Sequence, residues 1–177
     1  MAKMFEKLGV PVYYADDEAK KLMNSNKKIY KELVQVFGEE AFKDGELNRA
    51  FIANVIFNDE NKLNRINAIV HPEVERHFKK WVSNKTSKYV IQENALIFES
   101  GAQDRFDKII TITAPIDIRI NRVKNRDGVS KEKVLERMHN QLNDSYKIKN
   151  SFFSINNIDL EASRREVNKI NEFLIKS

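Results

Sequence analysis

Cysteine is absent from this sequence, and that absence removes disulfides, thiolate zinc sites and cysteine nucleophiles from consideration. It fits a reducing compartment such as the cytoplasm. Histidine is nearly as scarce. His71, His77 and His139 are the only three, and none of them form a His-x-x-x-His pair with metal-ligand spacing. Three prolines and five glycines are too few to build a linker or a low-complexity tract, and no internal repeat recurs. No apolar run approaches the roughly 20 residues that span a bilayer, and the N-terminus lacks the apolar core of a signal peptide. The expectation is a cytosolic globular protein with no membrane partner. Its 177 residues suffice for one compact domain with a helical insertion.

Charge is what the chain has in quantity. Thirty-one Lys+Arg against 26 Asp+Glu give a formal net charge of +5. Such an excess suits polyanionic partners such as nucleotides or nucleic acid, and it equally suits a solvated surface of mixed sign. A nucleic-acid binder would need a recognition motif, and none is present. Phe78 and Trp81, which could stack on bases, recur with Val74 as the apolar stripe of a helix and so face a core.

Taken in order, the chain alternates helix and strand. Met1 to Leu8 reads as a helix that Gly9 and Pro11 close, and Val10 to Tyr14 as a short strand. Asp16 or Asp17 then caps a helix starting at Glu18. Ile29 to Phe37 is helical until Gly38, Ala41 to Leu47 is a turn region around Asp44-Gly45, and Arg49 to Phe57 is helical. Glu60 to Val70 and Glu73 to Trp81 read as two helices separated by His71-Pro72, because the residue before a proline avoids helical geometry. Tyr89 to Ile91 and Leu96 to Phe98 bracket a strand region. Ile109 to Thr113 is the clearest strand, a β-branched run of the kind buried in a parallel sheet. A basic helix from about Pro115 to Arg126 breaks at Asp127-Gly128, and Ser130 caps another reaching about Leu142. Phe152 to Ile155 and Leu160 to Ile175 give a last strand and a last helix. The pattern is α/β with a nearly all-helical segment from Lys27 to Trp81.

Two groups of residues carry chemistry. Asp16 lies at the carboxyl end of a strand, where α/β proteins bind ligands, and serves either as a helix cap or as a catalytic carboxylate. Arg119, Arg122 and Arg126 fall at i, i+3 and i+7, so one helix face carries three guanidiniums, with Arg137 on the next helix. Such a face can neutralise phosphate charge or can simply be solvated and balanced by Asp117, Asp127, Glu132 and Glu136.

The segment Leu8 to Leu22, LGVPVYYADDEAKKL, resembles the second strand and following helix of dephospho-coenzyme A kinases, whose pattern is Val-hydrophobic-Asp-Ala-Asp. Further matches follow in order: Gly45 to Arg49, Asn67 to Pro72, Ala95 to Glu99, Arg122, and Arg126-Asp127. Together they run from near Met1 to about Asn157. The resemblance implies a P-loop-kinase-like parallel sheet, with a core at 1–26 and 86–177, lid helices at about 119–146 and a helical acceptor-binding insertion at 27–85. It implies ATP-dependent phosphorylation of the ribose 3′-hydroxyl of dephospho-CoA, the last step of coenzyme A synthesis, with Mg²⁺ and in the cytoplasm. No oligomeric state is implied. Asp16 maps onto the catalytic carboxylate and is a candidate Mg²⁺ ligand. Arg126 and Arg137 map onto catalytic lid arginines, with Gln141 beside them. Arg49, His71 and Glu99 map onto the acceptor pocket, and Arg122 and Asn157 onto the nucleotide site.

This chain departs from the pattern at Tyr14 and Glu93, both usually Asp, and at Ala95, usually Pro. The family's Gly-x-x-x-x-Gly-Lys-Ser/Thr phosphate loop occurs nowhere in the 177 residues. With it goes the first, central strand, which would lie between the strands matching Tyr89–Ile91 and Ile109–Thr113. The chain as given is therefore expected to turn ATP over very weakly at most. The alternative is a non-catalytic paralogue that binds coenzyme A or dephospho-CoA.

Overall fold

Helix α1 (Ala2–Lys7) ends at Leu8, and Gly9 follows at φ +80°, a left-handed backbone that residues with a Cβ rarely adopt. The chain in this computed structural model is described over residues 1–57 and 59–177. It forms two compact units, one of Met1–Val10 with Asn94–Ser177 and the other of Pro11–Glu93.

In the Pro11–Glu93 unit, β1 (Val12–Tyr14) leads directly into α2 (Ala15–Ser25) and α3 (Lys27–Phe37). Asn26 separates the two helices and caps the second, its Oδ1 accepting from the Lys28 and Ile29 N–H groups. Gly38, at φ +83°, ends α3 as expected. A two-residue hairpin follows, β2 (Phe42–Lys43) against β3 (Glu46–Leu47), turning on Asp44 and Gly45 at φ +53° and +84°. Positive φ at both central residues is what such tight hairpins need, so the turn region is a small antiparallel ladder within the helical segment. Next come α4 (Arg49–Phe57) and α5 (Glu60–Ser83), and β4 (Ile91–Glu93) returns to pair parallel with β1. Ile29 and Leu33, four apart on α3, are fully buried and form a core cluster with the buried Ala41, Ile52, Ile66 and Val70. A buried Ile or Leu contributes about 1.5–3 kcal/mol, so this cluster holds the helices on α5.

Three expectations are corrected in this unit and the residues that follow it. Helix α2 starts at Ala15, not Glu18, so Asp16 and Asp17 lie in its first turn, and its N-cap, Tyr14, makes no side-chain cap bond. Helix α5 runs through His71-Pro72 without ending. Pro72 deprives the Ala68 carbonyl of its partner, but Ala68, His71 and Pro72 are exposed, so water can satisfy it, while Ile66, Val70 and Val74 pack in the core on either side. The strand before Asn94 is Ile91–Glu93, on the polar residues, and residues 95–101, which include Leu96 to Phe98, form turns.

In the other unit, β5 (Ile110–Thr113) pairs parallel with β6 (Phe153–Asn156) in the register Ile110–Phe153 to Thr113–Asn156. Between them run α6 (Ile116–Asp127), α7 (Lys131–His139) and α8 (Asp144–Lys149), the last unanticipated. Gly128 closes α6 in the left-handed conformation, and Ser130 Oγ caps α7 by accepting from Lys133 N–H. Helix α7 stops at His139, short of Leu142. The terminal helix α9 (Leu160–Lys176), capped by Asp159, packs on β6 and α1 and buries Val167 and Ile170. Among the described residues the two parallel ladders are separate two-stranded sheets. No described helix is long and apolar enough to cross a membrane.

Candidate functional site

The candidate residues divide between the two units. Asp16, Arg49 and His71 belong to Pro11–Glu93, and Glu99, Arg122, Arg126, Arg137 and Asn157 to the other.

Three consecutive acids open α2, where the helix dipole favours negative charge. Asp17 accepts from Lys20 at 3.0 Å and Glu18 from Lys21 at 2.6 Å. Asp16 is exposed, and among the described residues its carboxylate has no hydrogen-bond or ion-pair partner. The helix that carries it follows strand β1, whose central residue is buried. Tyr13, 2% exposed, packs edge-on against Phe78 and Trp81, and its hydroxyl lies 2.9 Å from His77 Nδ1. Burial, helped by the Glu18 charge, pushes the Tyr13 phenol up to about 12.

Arg49 is the first residue of α4, exposed and without an ion pair among the described residues. Asn48 fixes that helix start by accepting from Phe51 N–H at 3.2 Å. His71 sits exposed in the middle of α5. Two residues on, Glu73 was not marked by the sequence, whose only hint is the i,i+3 pair with Arg76. It is buried, and Arg76, Lys28 and Asn26 all donate to its carboxylate. The Arg76 contact above all lowers its pKa to about 2.

In the second unit the arginine row of α6 is already engaged. Arg119 forks onto Asp144 at 3.1 and 3.2 Å, and its buried Nε has no partner among the described residues. Arg122 donates to the backbone carbonyls of Asn157 and Ile158. Arg126 and Arg137 come together on a single carboxylate: Asp127 accepts from Arg126 Nε and Nη2 at 2.6 and 3.0 Å and from Arg137 Nη1 at 3.1 Å. Both guanidiniums, Arg126 first, hold Asp127 below the ordinary carboxylate range. The two guanidiniums thus meet on one anionic group, Asp127, the kind of partner that a phosphate also is.

Glu99 is tied down. Its Oε1 accepts from Lys147 Nζ at 2.6 Å and from Leu142 N–H at 2.9 Å, with both ionic side chains mostly buried. Burial opposes its ionisation, and these donors outweigh burial, so the carboxyl sits low. Glu99→Gln, which leaves Lys147 buried with a neutral acceptor in place of its counter-charge, is expected to destabilise the protein by about 1–3 kcal/mol. A thermal melt checks this. An unchanged melting temperature with a raised KM for the acceptor would mean that Glu99 serves the substrate alone.

At the carboxyl ends of β5 and β6 lies an open cavity of about 340 Å³, lined by Thr113, Pro115, Ile116, Arg119, Asp144 and Asn156 among others. A second, of about 330 Å³, shares Ile116, Arg119 and Asp144 and reaches Gln141. Strand carboxyl ends are where open α/β sheets bind their ligands.

Residues 1–161 match the family model described as dephospho-CoA kinase. A relative named dephospho-CoA kinase from Bacteroides fragilis is 36% identical over 158 residues, covering 89% of this chain and 77% of its own. Another of that name from Fusobacterium nucleatum is 30% identical over 174 residues, with coverages of 97% and 90%. Among solved structures, TT1252 from Thermus thermophilus superimposes with a TM-score of 0.88 at 29% identity, over 97% of this chain and 88% of that one. The dephospho-CoA kinase from Campylobacter jejuni shares the fold, with a TM-score of 0.70 at 24% identity, over 98% and 89%.

Proposed function

The chain belongs to the dephospho-CoA kinase family, and on that premise we propose that it transfers the γ-phosphoryl group of ATP to the ribose 3′-hydroxyl of dephospho-CoA, the last step of coenzyme A synthesis. The observation that carries the reading is Asp16: of three adjacent acids at the end of a parallel strand, it alone is left without a partner among the described residues. A carboxylate so placed takes the proton of the attacking 3′-hydroxyl as its oxygen bonds to the γ-phosphorus and the bond to the β-phosphate oxygen breaks, releasing ADP. Arg126 and Arg137 would neutralise charge on the transferring group, with Gln141 as a further polar contact. Arg49 would meet the pyrophosphate of dephospho-CoA, and His71 and Glu99 would line its pocket. Arg122 and Asn157 belong to the nucleotide side. In this reading residues 27–85 hold the acceptor and about 119–146 form the lid.

The residues present fit magnesium. Mg²⁺ is commonly held by one or two carboxylates with substrate phosphates and water supplying the rest, and an unpaired Asp16 suits that role. No group of three or more metal-ligating side chains occurs among the described residues. When bound, the ion would neutralise phosphate charge. The reading places the protein in the cytoplasm, with neither nucleic acid nor membrane as a partner.

Incubation with ATP, Mg²⁺ and dephospho-CoA, followed by chromatography, is the test. Because no Gly-x-x-x-x-Gly-Lys-Ser/Thr loop occurs in the 177 residues, slow formation of coenzyme A and ADP in equal amounts above an enzyme-free control is expected. Folded protein that forms neither overturns the kinase reading, and if it still binds dephospho-CoA, it is a coenzyme-binding protein instead.

A further inference from the structure

The turn after β6 is held from three sides. From β5, the Thr113 carbonyl accepts from the Asn157 N–H at 2.7 Å. From α6, Arg122 Nη1 donates to the Asn157 carbonyl at 2.6 Å and Nη2 to the Ile158 carbonyl at 3.0 Å. From α9, the hydroxyl of Ser163, 1% exposed, lies 2.7 Å from the Asp159 carbonyl and 3.2 Å from Asn157 Oδ1. Thr113 and Asn156, at the carboxyl ends of β5 and β6, line the 340 Å³ cavity, and the turn begins at the residue after Asn156. Both terminal nitrogens of one planar, rigid guanidinium therefore bind backbone carbonyls, a geometry the point charge of a lysine cannot reproduce.

We propose that Arg122 is a positioning residue: it serves nucleotide binding by fixing the 157–159 turn, which follows directly on the cavity-lining Asn156, not by placing its charge on the phosphates. This rests on the kinase reading. It goes beyond that reading, which puts Arg122 on the nucleotide side without saying what it holds. Ser163 does the same work from the opposite side without any charge.

The test compares Arg122→Lys, Arg122→Gln and Ser163→Ala with the unaltered protein by calorimetric titration with ATP and, separately, with inorganic tripolyphosphate. Amide hydrogen exchange is followed at residues 157–159. All three variants are expected to bind ATP about tenfold more weakly, because a loosened turn must be ordered again when the nucleotide binds. Their affinity for tripolyphosphate stays within twofold, and exchange in the turn speeds up. Retained ATP affinity in Arg122→Lys, together with loss of both ligands in Arg122→Gln, would assign the residue to the phosphates and overturn the proposal. Unchanged exchange in the turn would overturn it equally, without reference to any ligand. If the unaltered protein binds neither ATP nor tripolyphosphate, the kinase reading itself falls and takes this proposal with it. That outcome is distinct from a failure of the variants alone.

Discussion

Asp16→Asn is expected to lower the rate of phosphoryl transfer to dephospho-CoA by about 10²–10⁴-fold, the range for removing a general base. Its stability should hardly change. Asp16 is exposed, caps nothing and has no side-chain partner among the described residues, and surface substitutions of that kind fall within about ±0.5 kcal/mol. Asparagine has the same shape but cannot take a proton, so dephospho-CoA affinity should stay within twofold while the rate collapses. The control is the next residue. Asp17→Asn removes only an exposed i,i+3 contact with Lys20, worth about 0.2–0.5 kcal/mol, and should leave the rate within twofold. Single-turnover kinetics of the two variants, with thermal melts, decide the matter. If Asp16→Asn keeps more than a tenth of the rate, or Asp17→Asn loses as much, the carboxylate has been assigned wrongly.

The pair also shows what could be read from the residues. The acids after β1 were legible as a site, but not their division of labour. The cap expected of them does not exist, because Ala15 is buried and begins the helix, which puts both aspartates inside its first turn. Breaks made by single residues were the easiest to see: Gly9, Gly38 and Gly128 adopt the positive φ that local chemistry requires. Strand β5 was legible because Ile110 to Thr113 are all β-branched. Strand β4 was not, since Gln92 and Glu93 carry no apolar signal and are strand only because β1 lies beside them. Pro72 misled because a local rule was overridden by the core residues flanking it. The arginines were found as a row, yet their partners are spread along the chain: Asp144 for Arg119, Asn157 and Ile158 for Arg122, Asp127 for Arg126 and Arg137. Spacing on one helix cannot encode a contact 35 residues away. The Glu99–Lys147 pair was invisible for the same reason.

Glu73 is the second place where a large effect is expected, and here the effect is on stability. Its side chain is 5% exposed, whereas those of Lys28 and Arg76, which cover it, are 63% and 68% exposed. The asymmetry decides which variant hurts more. Replacing the carboxylate by Gln leaves two cations that water can solvate, at a cost of about 1–2 kcal/mol in hydrogen bonds. Replacing both cations, as in Lys28→Met with Arg76→Met, leaves a buried carboxylate with only Asn26 donating, and should cost about 2–4 kcal/mol at pH 7. For a chain of this size that is a fall of roughly 4–16 °C in Tm. The sign with pH follows from the lowered pKa. Glu73 titrates at about 2 when folded and near 4.3 when unfolded, so its contribution is complete above about pH 5 and is lost as pH falls toward 2. The unfolded-state titration is common to both proteins, so the stability gap between the unaltered protein and the double variant should be widest near neutral pH and close progressively as pH falls toward 2, as urea melts across that range would show. A gap that persists undiminished at pH 3 would mean that the methionines cost packing and not charge. Because Glu73 fastens the middle of α5 to Asn26, the cap between α2 and α3, loosening it should also slow catalysis by freeing the helix that carries Asp16.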